Sequence, residues 1–183
     1  MENEKRSVFP VSFLTYKSIR NGDADGRSER YMKENKRMNL LTMEHITKAY
    51  TDRVLLNDVA FSINENEKIG VIGINGMGKS TLLKVTAGIE PYDEGKISMG
   101  NQVKICYLPQ TPEFEEGTTV LRAAIADNVN ELNQWTIEAD ARSMLNQLGF
   151  YDYDEKVEHM SGGQKKRIAL VNALLTPADI LIL

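Results

Sequence analysis

With a single cysteine in 183 residues, Cys106, the chain cannot form an internal disulfide. The residue falls in the apolar run Val103-Lys-Ile-Cys-Tyr-Leu108, where a small core side chain is expected rather than a reactive thiol. This cysteine usage fits a reducing, cytoplasmic compartment. Histidine is nearly as scarce. His45 and His159 lie far apart with no metal-ligand spacing, so neither is assigned to a metal. No apolar run approaches the ~20 residues that span a bilayer. The stretch Val8 to Tyr16 is short, is broken by Pro10, Ser12 and Thr15, and lacks a convincing small-residue cleavage site, so it is not read as a signal peptide. The one tryptophan, Trp135, is expected to be a packing anchor.

What is present is ordinary for one globular domain: 42% hydrophobic and 26% charged residues, with a formal net charge of −4. The charge is uneven. Residues 1–37 hold 9 Lys/Arg against 6 Asp/Glu, and the remainder holds 13 against 20. An acidic body argues against a domain that grips nucleic acid over most of its surface, although local basic patches remain open. Asn21-Gly-Asp-Ala-Asp-Gly-Arg-Ser28 is polar and turn-forming, and the charged residues after it have no apolar period. Residues 1–37 are therefore expected to be a disordered extension, with the natural start at Met38. The alternative is a functional N-terminal arm.

One stretch organises the rest. Gly73-Ile-Asn-Gly-Met-Gly-Lys-Ser80, followed by Thr81, fits G-x-x-x-x-G-K-[ST]. Lys68-Ile-Gly-Val-Ile-Gly73 before it reads as a buried strand, and Ser80 to Ala87 after it reads as a helix ended by Gly88. Glycines at 73, 76 and 78 let backbone amides approach phosphate oxygens, and the helix adds its positive end. Lys79 would bring a point charge to the terminal phosphates, and Ser80 a hydroxyl ligand for Mg²⁺. Strand, glycine loop and helix together predict a nucleoside triphosphate site.

Taken in order from Met38, Leu40 to Ile46 and Val54 to Ile63 read as strands, the second carrying a turn around Asn57-Asp58. Tyr50 lies in the loop between them, where a tyrosine by itself reads as packing. Gly95 to Met99 and Val103 to Leu108 read as further strands, the latter ending at Leu108-Pro-Gln110. Thr118 to Asp127 predicts a helix capped by Thr118 or Thr119, and Thr136 to Leu148 a second one closed by Gly149. Ser161-Gly-Gly-Gln164 then opens a helix with an apolar stripe at Ile168, Leu170, Val171, Leu174 and Leu175. Gly162 and Gly163 are poor helix formers, so something outside the helix should need bare backbone there; a close-approaching anion is the candidate. Pro177 stops the helix, and Asp179-Ile-Leu-Ile-Leu183 begins a buried strand.

With the phosphate loop, Gln110 after an apolar strand and Ser161-Gly-Gly-Gln164 all present, residues 38–183 resemble the nucleotide-binding domain of ATP-binding-cassette (ABC) proteins. Met38-Asn-Leu-Leu-Thr-Met-Glu-His-Ile-Thr-Lys-Ala-Tyr50 and Met160-Ser-Gly-Gly-Gln-Lys-Lys-Arg167 look most like the ABC-F branch, whose members are soluble, usually carry two cassettes in one chain and mostly act on the ribosome. The resemblance implies an α/β P-loop NTPase fold, with a helical subdomain at about residues 111–161 and ATP and Mg²⁺ as ligands. It implies that Tyr50 stacks on adenine, and that Gly73, Asn75, Gly76, Met77, Gly78, Lys79, Ser80 and Thr81 hold phosphates. Ser80 and Gln110 would attend the metal, and Gln110 would sense the γ-phosphate. Ser161, Gly162, Gly163 and Gln164 would serve the nucleotide of an opposing cassette, so that ATP joins two cassettes and hydrolysis releases them.

The family pattern continues with an Asp and a catalytic Glu directly after the last apolar strand, and here Leu183 is the last residue. The expectation is an N-terminal fragment of an ABC-F-like ATPase that has no catalytic residue of its own, binds nucleotide weakly and hardly turns it over. The span from Gln110 to Ser161 leaves little room for the helical arm that some ABC-F members insert. Rival readings are the energy subunit of an ABC transporter and a cassette that binds without hydrolysing. The partners implied are a second cassette and the ribosome or its RNA.

Overall fold

The structure, a computed structural model, describes residues 12–16, 38–51, 53–129 and 133–183. It divides into two compact units, residues 1–103 and 104–183, each taken by itself below. The described residues form an α/β arrangement, and none of their helices is long and apolar enough to cross a membrane.

In the first unit, β2 (Asn39–Tyr50) is the central strand of three. It pairs antiparallel with β3 (Arg53–Asn64) on one side and with β5 (Glu94–Met99) on the other. Leu40, Leu41, Met43 and Ile46 of β2 are buried together with Leu56 of β3. The helix α1 (Lys79–Thr86) buries Leu82, Val85 and Thr86. The Thr86 hydroxyl donates to the Leu82 carbonyl at 2.8 Å and lies 3.4 Å from the Met43 sulfur, which ties α1 to β2. Burying a Leu or Val side chain stabilises by about 1.5–3 kcal/mol, so Leu82 and Val85 supply the larger part of what anchors the helix after the phosphate loop.

Two details depart from the sequence expectation. Val54 to Ile63 has no turn at Asn57-Asp58; β3 runs through it, and the register shifts as a bulge. Asp58 (φ 53°) and His45 on β2 (φ 54°) both take the left-handed conformation, and His45 Nδ1 lies 2.6 Å from Asp58 Oδ1 across the pair. A turn-forming residue was absorbed into a strand because its side chain found this partner. Secondly, Ser12–Tyr16, inside the extension expected to be disordered, forms a strand (β1) antiparallel to β4 (Lys68–Ile72), pairing Ser12 with Ile72 and Tyr16 with Lys68. The rest of that expectation lies outside the described residues.

In the second unit, β6 (Ile105–Tyr107) and β7 (Ile180–Ile182) pair in parallel. The ladder is extended by Leu108 N–H to the Ile182 carbonyl at 2.8 Å and by the Asp179 carboxylate, which accepts from Lys104 N–H at 2.8 Å. Cys106 on β6 is half-buried, its sulfur 3.8 Å from the Ala173 carbonyl. Three helices, α2 (Val120–Ile125), α3 (Gln134–Gln147) and α4 (Gly162–Leu175), share one core that includes Val120, Ala124, Ala141, Leu145, Phe150, Val157, Ile168 and Val171. Thr119 caps α2, accepting from Arg122 N–H, and Gly149 follows α3 in the left-handed conformation.

Trp135 is not a packing anchor. Helix α3 begins at Gln134, two residues before the expected Thr136, so Trp135 sits in its first turn and is 86% exposed. The stripe on α4 is likewise shifted: Ile168, Ala169, Val171 and Ala173 are buried, whereas Leu174 is 51% exposed.

Leu145 is fully buried. Leu145→Ala should therefore lower stability by about 2–5 kcal/mol, read from urea melts of the helical signal. The Asp58 hydrogen bond raises the His45 pKa above its ordinary 6.5. A raised folded-state value stabilises fully below that ordinary pKa and is lost as pH rises through the folded one. His45→Asn keeps a residue tolerant of φ > 0. The melting-temperature gap between wild type and H45N should be wider at pH 5.5 than at pH 8.5, and a gap independent of pH would contradict the pairing.

Candidate nucleotide site

The loop after β4 turns into α1 at Gly78, the residue preceding the helix, with φ 89° and ψ 8°. A side chain there would be strained by that φ, and its Cβ would sit 3.0 Å from the Leu55 carbonyl. Gly76 is also left-handed, at φ 79°. No side chain caps this helix. The first helical bond runs from Leu82 N–H to the Gly78 carbonyl at 2.8 Å, so among the described residues the amides of Gly78, Lys79, Ser80 and Thr81 have no acceptor. Residues 73–81 contain no acidic side chain. Converging amides, a helix N-terminus and no competing carboxylate are what a phosphate requires.

Two cations are held at this loop. Lys79 Nζ folds back and donates to the Gly73 and Ile74 carbonyls at 2.8 and 2.9 Å. Arg53, the first residue of β3, donates from Nη2 to the Gly76 carbonyl at 2.9 Å. These are bonds to neutral carbonyls, and a phosphate oxygen would offer the same donors a stronger, charge-assisted bond. Asn75 and Ser80 are exposed, Met77 and Thr81 half-buried. Ser80 lies in the first turn of α1, and its side chain carries the only kind of neutral oxygen ligand that this turn offers a hard cation, a hydroxyl.

Tyr50 ends β2 instead of lying in a loop. Its ring is 45% exposed, and the Lys48 ammonium stands 5.4 Å from the ring centroid. Asp93 holds this strand end. Its carboxylate accepts from Ala49 N–H at 2.7 Å and from Lys48 Nζ at 3.0 Å, while its own amide donates to the Thr47 carbonyl at 2.9 Å. The Ala49 amide first, and Lys48 second, keep the Asp93 carboxyl below its usual pKa. The anchoring is therefore present at neutral pH and lost only as pH falls through that depressed value. Tyr50 pairs with Arg53 across the hairpin, which brings the aromatic and the phosphate loop's second cation onto one strand junction. Sequence reasoning missed Arg53. Its signal was a cation three residues after the candidate aromatic.

In the second unit, Gln110 is exposed at a bend after Leu108-Pro109. A groove of about 830 Å³ opens nearby, lined in part by Pro109, Phe114 and Ala173; none of the expected nucleotide residues lines it. The Ser161 segment starts α4 with a reciprocal capping box: Ser161 Oγ accepts from Gln164 N–H at 3.3 Å, and Gln164 Oε1 accepts from Ser161 N–H at 2.9 Å. Gly162 and Gly163 are exposed, and a Cβ on either would meet nothing within 4 Å. Nothing among the described residues needs those glycines. Met160 and Ile168 are buried on either side, and Arg167 donates to the Leu148 carbonyl at 2.7 Å, so a rigid base presents an open backbone.

The profile of the ABC transporter family matches residues 56–183. YfmR of Bacillus subtilis strain 168, an uncharacterized ABC transporter ATP-binding protein, is 36% identical over 182 residues, covering 80% of this chain and 29% of YfmR. The energy-dependent translational throttle protein EttA of Haemophilus influenzae is 34% identical over 169 residues, covering 72% and 30% respectively. Among solved structures, the complex of the archaeal ribosomal stalk protein aP1 with the archaeal ribosome recycling factor aABCE1 matches with a TM-score of 0.64 at 30% identity, over 81% of this chain and 28% of that one. The chain thus spans less than a third of the length of these relatives. With its glycine loop and its helical unit matched alike, the chain belongs to the ATP-binding-cassette family, as a nucleotide-binding domain homologous to the ABC-F proteins YfmR and EttA.

Proposed function

We propose that this chain binds Mg-ATP through Gly73 to Thr81 and Tyr50, as the nucleotide-binding part of an ABC-F-like ATPase that works in translation. The observation that carries the reading is the start of α1: four amides without internal acceptors, a left-handed Gly78 and the Lys79 ammonium on the loop. When bound, Mg²⁺ would neutralise phosphate charge, with Ser80 as its protein ligand in the first unit. Tyr50 offers the adenine its exposed ring. The bare backbone at Gly162 and Gly163 suits a phosphate carried by a second cassette, in the same chain or in another copy. Work on the ribosome is supported by the names of EttA and the archaeal recycling factor, and it implies a cytoplasmic location.

The description of YfmR as an ABC transporter ATP-binding protein favours a second reading, the energy subunit of a transporter. Co-sedimentation of the purified chain with salt-washed ribosomes separates the two, because a transporter subunit should instead fractionate with membranes.

Binding is tested first with Lys79→Ala. Loss of a charge-assisted phosphate contact should weaken Mg-ATP binding by about tenfold or more, measured by equilibrium dialysis. Equal retention of ATP by the wild type and K79A would sink the assignment.

A further inference from the structure

Arg53 belongs to no motif described above, yet its guanidinium touches the phosphate loop. It opens β3, is exposed, and donates one N–H to the Gly76 carbonyl at 2.9 Å. A guanidinium has five N–H donors, and among the described residues the other four have no acceptor. No carboxylate among the described residues pairs with it, although Lys48 and Arg142 both have one within 4.0 Å. Its charge persists at every physiological pH. A permanent cation beside a loop with no acidic residue of its own, holding one loop carbonyl with a single donor, has the remaining fork available for an anion.

We infer that Arg53 is a second cationic ligand for the nucleotide phosphates, distinct from Lys79, and that it links recognition of the base to recognition of the phosphates. The inference rests on the nucleotide-binding reading above. The linkage follows from register: Arg53 is the strand partner of Tyr50, and only one further hairpin residue, Thr51, is described between them, at φ 50°. A phosphate that draws the guanidinium also sets the hairpin end that carries the ring. The bond to Gly76 serves in turn to hold the loop open at its glycine while no anion is bound.

A purely bracing role makes a different forecast, and three substitutions separate them. Arg53→Gln removes the charge and keeps a shorter polar side chain; Arg53→Lys keeps the charge with a different shape; Arg53→Ala removes the polar side chain altogether. Equilibrium dialysis of the full chain with ATP, ADP, AMP and adenosine in the presence of Mg²⁺ is the measurement. As a phosphate ligand, R53A should weaken ATP binding by about tenfold or more, with a loss that shrinks through ADP and AMP and vanishes for adenosine. R53Q should fall as far as R53A, and R53K should lie between them and the wild type. Wild-type affinity in R53Q, or a loss of equal size for ATP and adenosine, would overturn the inference. Thermal melts check the fold, and R53Q, the more conservative of the two uncharged variants, stands in where R53A does not fold. Lys79→Ala is the control: if K79A loses ATP and R53A does not, Arg53 alone is misassigned. If K79A also binds as wild type does, the nucleotide reading fails and takes this inference with it.

Discussion

A helix start without internal partners is the constraint on which the first unit is arranged. Helix N-terminal amides ordinarily find a capping side chain, and α1 has none. The helix persists because its other face is secured: Leu82 and Val85 are buried, and Thr86 reaches Met43 on the central strand. The loop before it is held from two directions, by Lys79 on the Gly73 and Ile74 carbonyls and by Arg53 on the Gly76 carbonyl. Carbonyls are thereby drawn toward cations while amides stay available, a polarity that suits an anion and repels a metal ion on its own.

The second unit meets the same end problem with the opposite solution. At α4 the Ser161–Gln164 box satisfies the cap, worth about 1 kcal/mol, and the two glycines between them contribute nothing to packing. Helical stability is supplied further along, by Ile168 and Val171 in the shared core and by Arg167 on the end of α3. The glycines are thus a local cost, roughly 0.8–1 kcal/mol each against alanine, carried by a helix that is otherwise well supported. A stable helix that keeps an expensive, open start is consistent with a role directed outward.

Much of this was legible in the chain because strong local signals coincide with strong periodicity. The strand before Gly73, which is exposed to half-buried rather than buried as its apolar run implied, the helix after Lys79, the Thr119 and Ser161 caps and the stop before Pro177 are each set by a few neighbouring residues. What escaped depends on partners distant in sequence. Asp58 reads as a turn residue until His45 is placed opposite it, and Asp93 means nothing until its carboxylate is seen on Ala49 and Lys48. Trp135 misled because a large apolar residue is normally buried, and here the helix starts early and turns it outward. Arg53 was overlooked because one arginine in a hairpin carries no pattern, and only its bond to Gly76 gives it a place in the site.

The central claim is that the amides of Gly78, Lys79, Ser80 and Thr81 are kept free for phosphate. Backbone amide NMR of the isotope-labelled chain, titrated with Mg-ATP, reads those groups directly. The account predicts that the largest shifts fall on residues 76–81, moving together with one apparent affinity. Shifts confined to other segments, or none at saturating nucleotide, would contradict it.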